Sequence, residues 1–133
     1  MDYNTFVYDL KRYKDNLKKL QEYDGLIDMQ LYIMSGVSAV KYEKIPSLHN
    51  PEMSELNRLE QIEKYNFLLM QRQRYETAVK NIQVIKARLP EDLWTMLKEK
   101  FIDGMTYEQI GRKYGYTGQG FWKMLRRETE KYL

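Results

Sequence analysis

From Tyr3 to Met34 apolar side chains return every three or four residues: Tyr3, Phe6, Leu10, Tyr13, Leu17, Leu20, Ile27, Leu31 and Met34. That is a heptad seam held over roughly four repeats, a period that suits a helix and no strand. Lys11, Arg12, Lys14, Asp15, Lys18 and Lys19 fall between the seam positions and form a polar outer face. The spacing predicts one helix over 3–34, roughly 48 Å long at ~1.5 Å per residue. Asp24-Gly25 is its weak point, since Gly costs about 1 kcal/mol inside a helix and Asp-Gly is a turn signal. The seam stays in phase across that pair, so the helix is expected to be continuous or slightly kinked.

A second stripe predicts a helix over 53–89, through Leu56, Leu59, Ile62, Leu69, Tyr75, Val79, Ile82, Ile85 and Leu89, with Arg72 interrupting it. Asn50 or Ser54 can cap its start, and Glu52 and Glu55 suit its first turn. Residues 36–52 between the two helices hold two Pro and one Gly and have no helical period. They read as a long loop, either a plain connector or a functional one. His49 within it is read as a surface residue. Two amphipathic helices of similar length imply an all-α chain that begins with a long, coiled-coil-like antiparallel hairpin over 1–89. Each helix buries one face in such a hairpin, and the leftover Tyr, Leu68 and Met70 surface points to self-association. A homodimer or higher oligomer held by residues 3–34 and 54–89 is the expectation.

Composition excludes several chemistries. The 133 residues contain no Cys and one His, which rules out thiolate metal sites and argues against a histidine cluster or Ser-His-Asp triad. No carboxylate pair, phosphate-binding loop or nucleophile-plus-base set stands out, so neither an enzyme nor a cofactor or metal is expected. The start shows no basic segment followed by an apolar one, and no run approaches 18 apolar residues, which suggests a soluble, cytoplasmic chain without a membrane partner. The net charge of +3 is uninformative until it is located. Residues 109–133 carry six Lys or Arg against two Glu, a +4 surface on 25 residues. Such an asymmetry suits nucleic acid, although a solvated helix face produces it too.

Leu89-Pro90 marks the boundary to a second domain, 90–133, with Pro90 suited to a first helical turn. Helix PEDLWTMLKEKF places Glu91 and Asp92 at its start and is stopped by Gly104. Thr106-Tyr107-Glu108-Gln109 is a capping box for a two-turn helix ending at Gly115. Thr117 caps the last helix, 117–132. Ile110, Tyr114, Tyr116, Phe121 and Met124 form the expected buried face, and Gly111 allows the two helices to approach. A small residue at a steep crossing, a Gly in the turn and an apolar wedge are what a helix-turn-helix requires. An ordinary three-helix end domain that never touches DNA is the alternative.

The segment from Leu89 to Leu133 resembles region 4 of bacterial sigma-70-type factors, on Leu89, Pro90, Phe101, Gly104, Thr106 and Ile110. The whole layout, with the connector Lys41-Tyr42-Glu43-Lys44-Ile45-Pro46, is similar to phage-encoded ArpU/RinA-type late transcription regulators. The resemblance implies a sequence-specific DNA-binding regulator, an activator of phage or prophage genes, whose last helix enters the major groove of double-stranded DNA. Thr117, Gly118, Gln119, Trp122 and Lys123 would then face the bases, while Arg112, Lys113, Arg126 and Arg127 would hold phosphates. Trp122 would either meet the DNA or pack on the preceding domain helix. Gly118 and Gly120 depart from sigma-like helices, which carry polar side chains there. Two other readings stay open: a small terminase-like subunit for DNA packaging, or a helical adaptor that binds RNA polymerase without touching DNA.

Overall fold

The computed structural model describes residues 1–35 and 55–133, and all regular structure among them is helical. The loop 36–52, its connector, His49 and the caps at Asn50 and Ser54 lie outside the described residues. The helices are α1 (Tyr3–Lys11), α2 (Tyr13–Ser35), α3 (Glu55–Arg88), α4 (Glu91–Phe101), α5 (Tyr107–Tyr114) and α6 (Gly118–Glu130). None is long and apolar enough to cross a membrane.

The expected helix over 3–34 is interrupted, and at Arg12 rather than at Asp24-Gly25. Asp2 caps α1, its carboxylate accepting from the Thr5 N–H at 2.7 Å. Arg12, at φ −94° and ψ −2°, ends α1, while its guanidinium donates to the Tyr8 hydroxyl. The Arg12 carbonyl accepts from Asn16 N–H, so α2 starts at once. Just beyond the junction Asn16 is buried and Leu17, a seam position, is exposed. Gly25 stays helical, and nothing lies within 4 Å of where its Cβ would be. Gly25→Ala is therefore expected to raise stability by about 0.5–1 kcal/mol through helix propensity alone, read as a higher midpoint in thermal unfolding.

The chain divides into two compact units, one of residues 1–16 and 77–133 and the other of residues 17–76. Leu89-Pro90 falls inside the first of these units. The reason is the core. Phe6 and Leu10 from α1, Ile82 and Ile85 from α3, and Leu89 pack with Leu93 and Leu97 of α4, Ile110 of α5, and Phe121, Met124 and Leu125 of α6. The two-turn α5 and the neighbouring α4 and α6 lack apolar surface for a core of their own. The N-terminal helix, packed on α4 and α6, supplies what is missing.

In the second unit, Tyr23 stacks on Tyr75, Asp24 accepts from Arg72, and Gln30 donates to Gln61 at 2.7 Å. As α2 numbers rise, those of its α3 partners fall. Ile27, Leu31 and Met34 are buried as the seam requires. On α3 the inward face differs from the expected stripe. Leu56, Leu59 and Leu69 are exposed, whereas Arg72 occupies an inward, part-buried position bridging Asp24 and Glu76. Met29, Tyr32, Phe67 and Met70 are exposed as well.

Candidate nucleic-acid interface

The residues that position α6 are local and legible. Gln109 N–H donates to the Thr106 hydroxyl at 3.1 Å, and Thr106 N–H donates to the Gln109 side chain at 3.0 Å, closing the capping box at the start of α5. Gly115 has φ +81°, a backbone that L side chains rarely adopt, and ends the helix. Tyr116 N–H donates to the Gly111 carbonyl at 2.7 Å, folding the turn back. A Cβ on Gly111 would lie 2.8 Å from the Tyr116 carbonyl oxygen, so only glycine permits this approach. Thr117 then caps α6, accepting from Gly120 N–H at 3.0 Å.

Phe121 is the wedge. It is fully buried, with the rings of Tyr107, Tyr114 and Tyr116 at 6.2–6.4 Å. Ile110 and Met124 are buried as expected, but Tyr114 is only half-buried and Tyr116 is 43% exposed. Leu125, fully buried, was missing from the expected face. Its position one residue after Met124 carries the signal: together they widen the apolar stripe of α6.

With Phe121, Met124, Leu125 and Thr129 turned inward, Gln119, Trp122, Lys123, Arg126 and Arg127 are exposed. Trp122 is 38% exposed. Thr117 is exposed at the cap, and Gly118 is half-buried. A Cβ on Gly118 would meet Glu108 Cγ at 2.8 Å. Gly120 abuts the capping hydroxyl of Thr117 in the same way, at 2.9 Å.

The four expected phosphate residues differ in availability. The Arg112 side chain makes no hydrogen bond or ion pair with another described residue, and neither does that of Lys123, the expected base reader. Arg127 reaches Glu128 at 3.3 Å, yet its side chain is 70% exposed. Arg126 donates to Glu130 at 2.9 Å and lies over the Tyr3 ring at 5.4 Å. Lys113 is spent on Glu99, with both carboxylate oxygens at 3.2 Å. Glu99 is 7% exposed and also accepts from the Tyr114 hydroxyl at 2.8 Å. The sequence reading missed Glu99, which ties α5 to α4; its spacing on the apolar stripe, two residues after Leu97, carries no such signal. Among the described residues no group of three or more His, Asp or Glu is placed to hold a metal ion.

Three phenols in this unit titrate late. Burial pushes Tyr3 far above its ordinary value of 10.0, and its hydroxyl has no partner among the described residues. Donation to the Glu99 carboxylate raises Tyr114, and burial raises Tyr107. A phenol raised by folding contributes stability that is fully present below about pH 10 and lost as pH climbs through the folded value. The first unit should therefore weaken above pH 10. Spectrophotometric titration should show a late group among the 12 tyrosines, ionising together with loss of the helical signal. If all the phenols ionised before that loss, the packing of these three rings would be wrong.

No protein-family model, curated protein or solved structure matches the chain. The exposed side chains of α5 and α6 themselves have to carry the functional reading.

Proposed function

We propose that this chain is a DNA-binding transcription regulator whose α5 and α6 act as a helix-turn-helix, with α6 in the major groove. One observation carries the reading: α6 is anchored by Phe121, Met124 and Leu125 on one side and exposes Gln119, Trp122, Lys123 and Arg127 on the other. An amide able to pair with adenine, a lysine able to reach guanine O6 or N7, and cations for phosphate are the chemistry of groove reading. Arg112 joins them, because it follows Glu108 by one turn of α5 and Glu108 abuts the first residue of α6. A regulator of phage or prophage genes is the setting that the sequence resemblance suggests.

The test is a salt titration of duplex binding. Neutralising several phosphates releases counterions, so the logarithm of the affinity should fall linearly with the logarithm of salt, by roughly 0.9 per phosphate. A flat profile, or no retained duplex, overturns the reading and favours a helical adaptor that binds protein, RNA polymerase included.

A single such module buries only about 600–1,000 Å² on DNA, little for tight site selection. The second unit would supply the remedy as an antiparallel hairpin that pairs copies of the chain through Met29, Tyr32, Phe67 and Met70, which are exposed. The same exposed face also suits a larger ring, as in a DNA-packaging small subunit. Light scattering separates the outcomes: a dimer supports the regulator, eight or more chains support the packaging subunit, and a monomer at micromolar concentration removes self-association from the account.

A further inference from the structure

Glu108 is an acidic residue in the first turn of α5. Its Cγ would stand 2.8 Å from a Cβ on Gly118, and its backbone nitrogen 3.4 Å, so the side chain lies directly against the first residue of α6. It is exposed, and it makes no hydrogen bond or ion pair among the described residues, not even with Arg112 one turn along the same helix. An ionised carboxylate is an acceptor only. Set beside phosphates it finds no donor and is repelled. On the edges of base pairs it does find donors, the amino groups of cytosine and adenine. Adenine presents an acceptor next to its amino group and suits an amide such as Gln119, whereas the cytosine N4 amino group suits a lone carboxylate.

Building on the DNA-binding reading above, we propose that Glu108 is a specificity-determining residue whose carboxylate accepts a hydrogen bond from the N4 amino group of a cytosine in the major groove. Gly118 is then a positioning residue. It is glycine because a side chain there would displace Glu108 from the end of α6, and that explains why this helix opens without a polar side chain at its first position.

The experiment selects duplexes from a randomised library with the wild-type chain, Glu108→Gln, Glu108→Ala and Gly118→Ala, each checked for an unchanged helical spectrum. The wild type should select a site with cytosine at one fixed position, and replacing that base pair should weaken binding by on the order of tenfold. Both Glu108 variants should lose the preference at that position alone, and Gly118→Ala should weaken it there through displacement. Direct competition between the wild-type site and its single-pair variant reads the effect without relying on absolute affinity. If Glu108→Ala binds every duplex more tightly by one common factor and selects the same site, the carboxylate merely repels and the proposal is overturned. Should the wild type bind with a steep salt dependence but select no cytosine, this inference fails while the DNA-binding reading stands. A wild type that retains no duplex overturns both.

Discussion

Phe121→Ala should cost the first unit about 3–5 kcal/mol, enough to unfold it at ordinary temperature if its stability lies low in the usual range of about 5–15 kcal/mol. The ring is fully buried at the centre of a four-aromatic cluster. With Met124 and Leu125 it anchors α6 in the common core. Deleting it loses the transfer energy of the ring and leaves a cavity. Tyr107, Tyr114 and Tyr116 would each lose a ring contact at the same time. Trp122→Ala, one residue along and 38% exposed, should change stability by less than about 1 kcal/mol. Denaturant titration followed by helical signal measures both. A loss below about 1 kcal/mol for Phe121→Ala would mean that α6 is not held through this ring, and the exposed face derived from that anchoring would fall with it.

The contrast between those neighbours shows what could be read from the chain alone. Local signals were legible because their physics is local. A hydroxyl three residues before an amide makes a capping box, a glycine with positive φ ends a helix, and the apolar wedge follows at helical spacing; all three are found at Thr106, Gly115 and Phe121. Quantities that depend on a partner element were less legible. The helix break at Arg12 has no glycine or proline to announce it, and it becomes visible only through Asn16 turning inward. Leu89-Pro90 shows the same dependence on partner elements. Leu-Pro is a sound helix boundary, yet a helix boundary becomes a domain boundary only when few contacts cross it, and Phe6, Leu10 and Ile82 cross it in the core. The candidate interface was legible as a set of residue types and not as a set of free charges. Lys113 and Arg126 carry the right chemistry, but Glu99 and Glu130 already hold it, and neither pairing follows from charge counts.

That division of the cations leads to the largest expected effect on binding. Replacing Arg112 and Arg127 together with alanine should lower the slope of log affinity against log salt by roughly 1.8, from ~0.9 for each phosphate contact removed. For a fourfold rise in salt the wild type should then weaken roughly 12-fold more than the variant. Arg126→Ala should do much less. Its guanidinium, held by Glu130 and lying over Tyr3, would have to leave both to reach a phosphate. Glu130→Gln supplies the opposite sign, since it frees Arg126 and removes a carboxylate from the same face, so duplex binding should strengthen at low salt and the slope should steepen. None of these side chains enters the core, so unfolding midpoints should stay within the small range expected of surface changes. If Arg126→Ala flattened the salt profile as much as the double replacement does, the ion pair with Glu130 would not persist on DNA. The exposed face of α6 would then have to be centred on Arg126 instead of on Lys123 and Arg127.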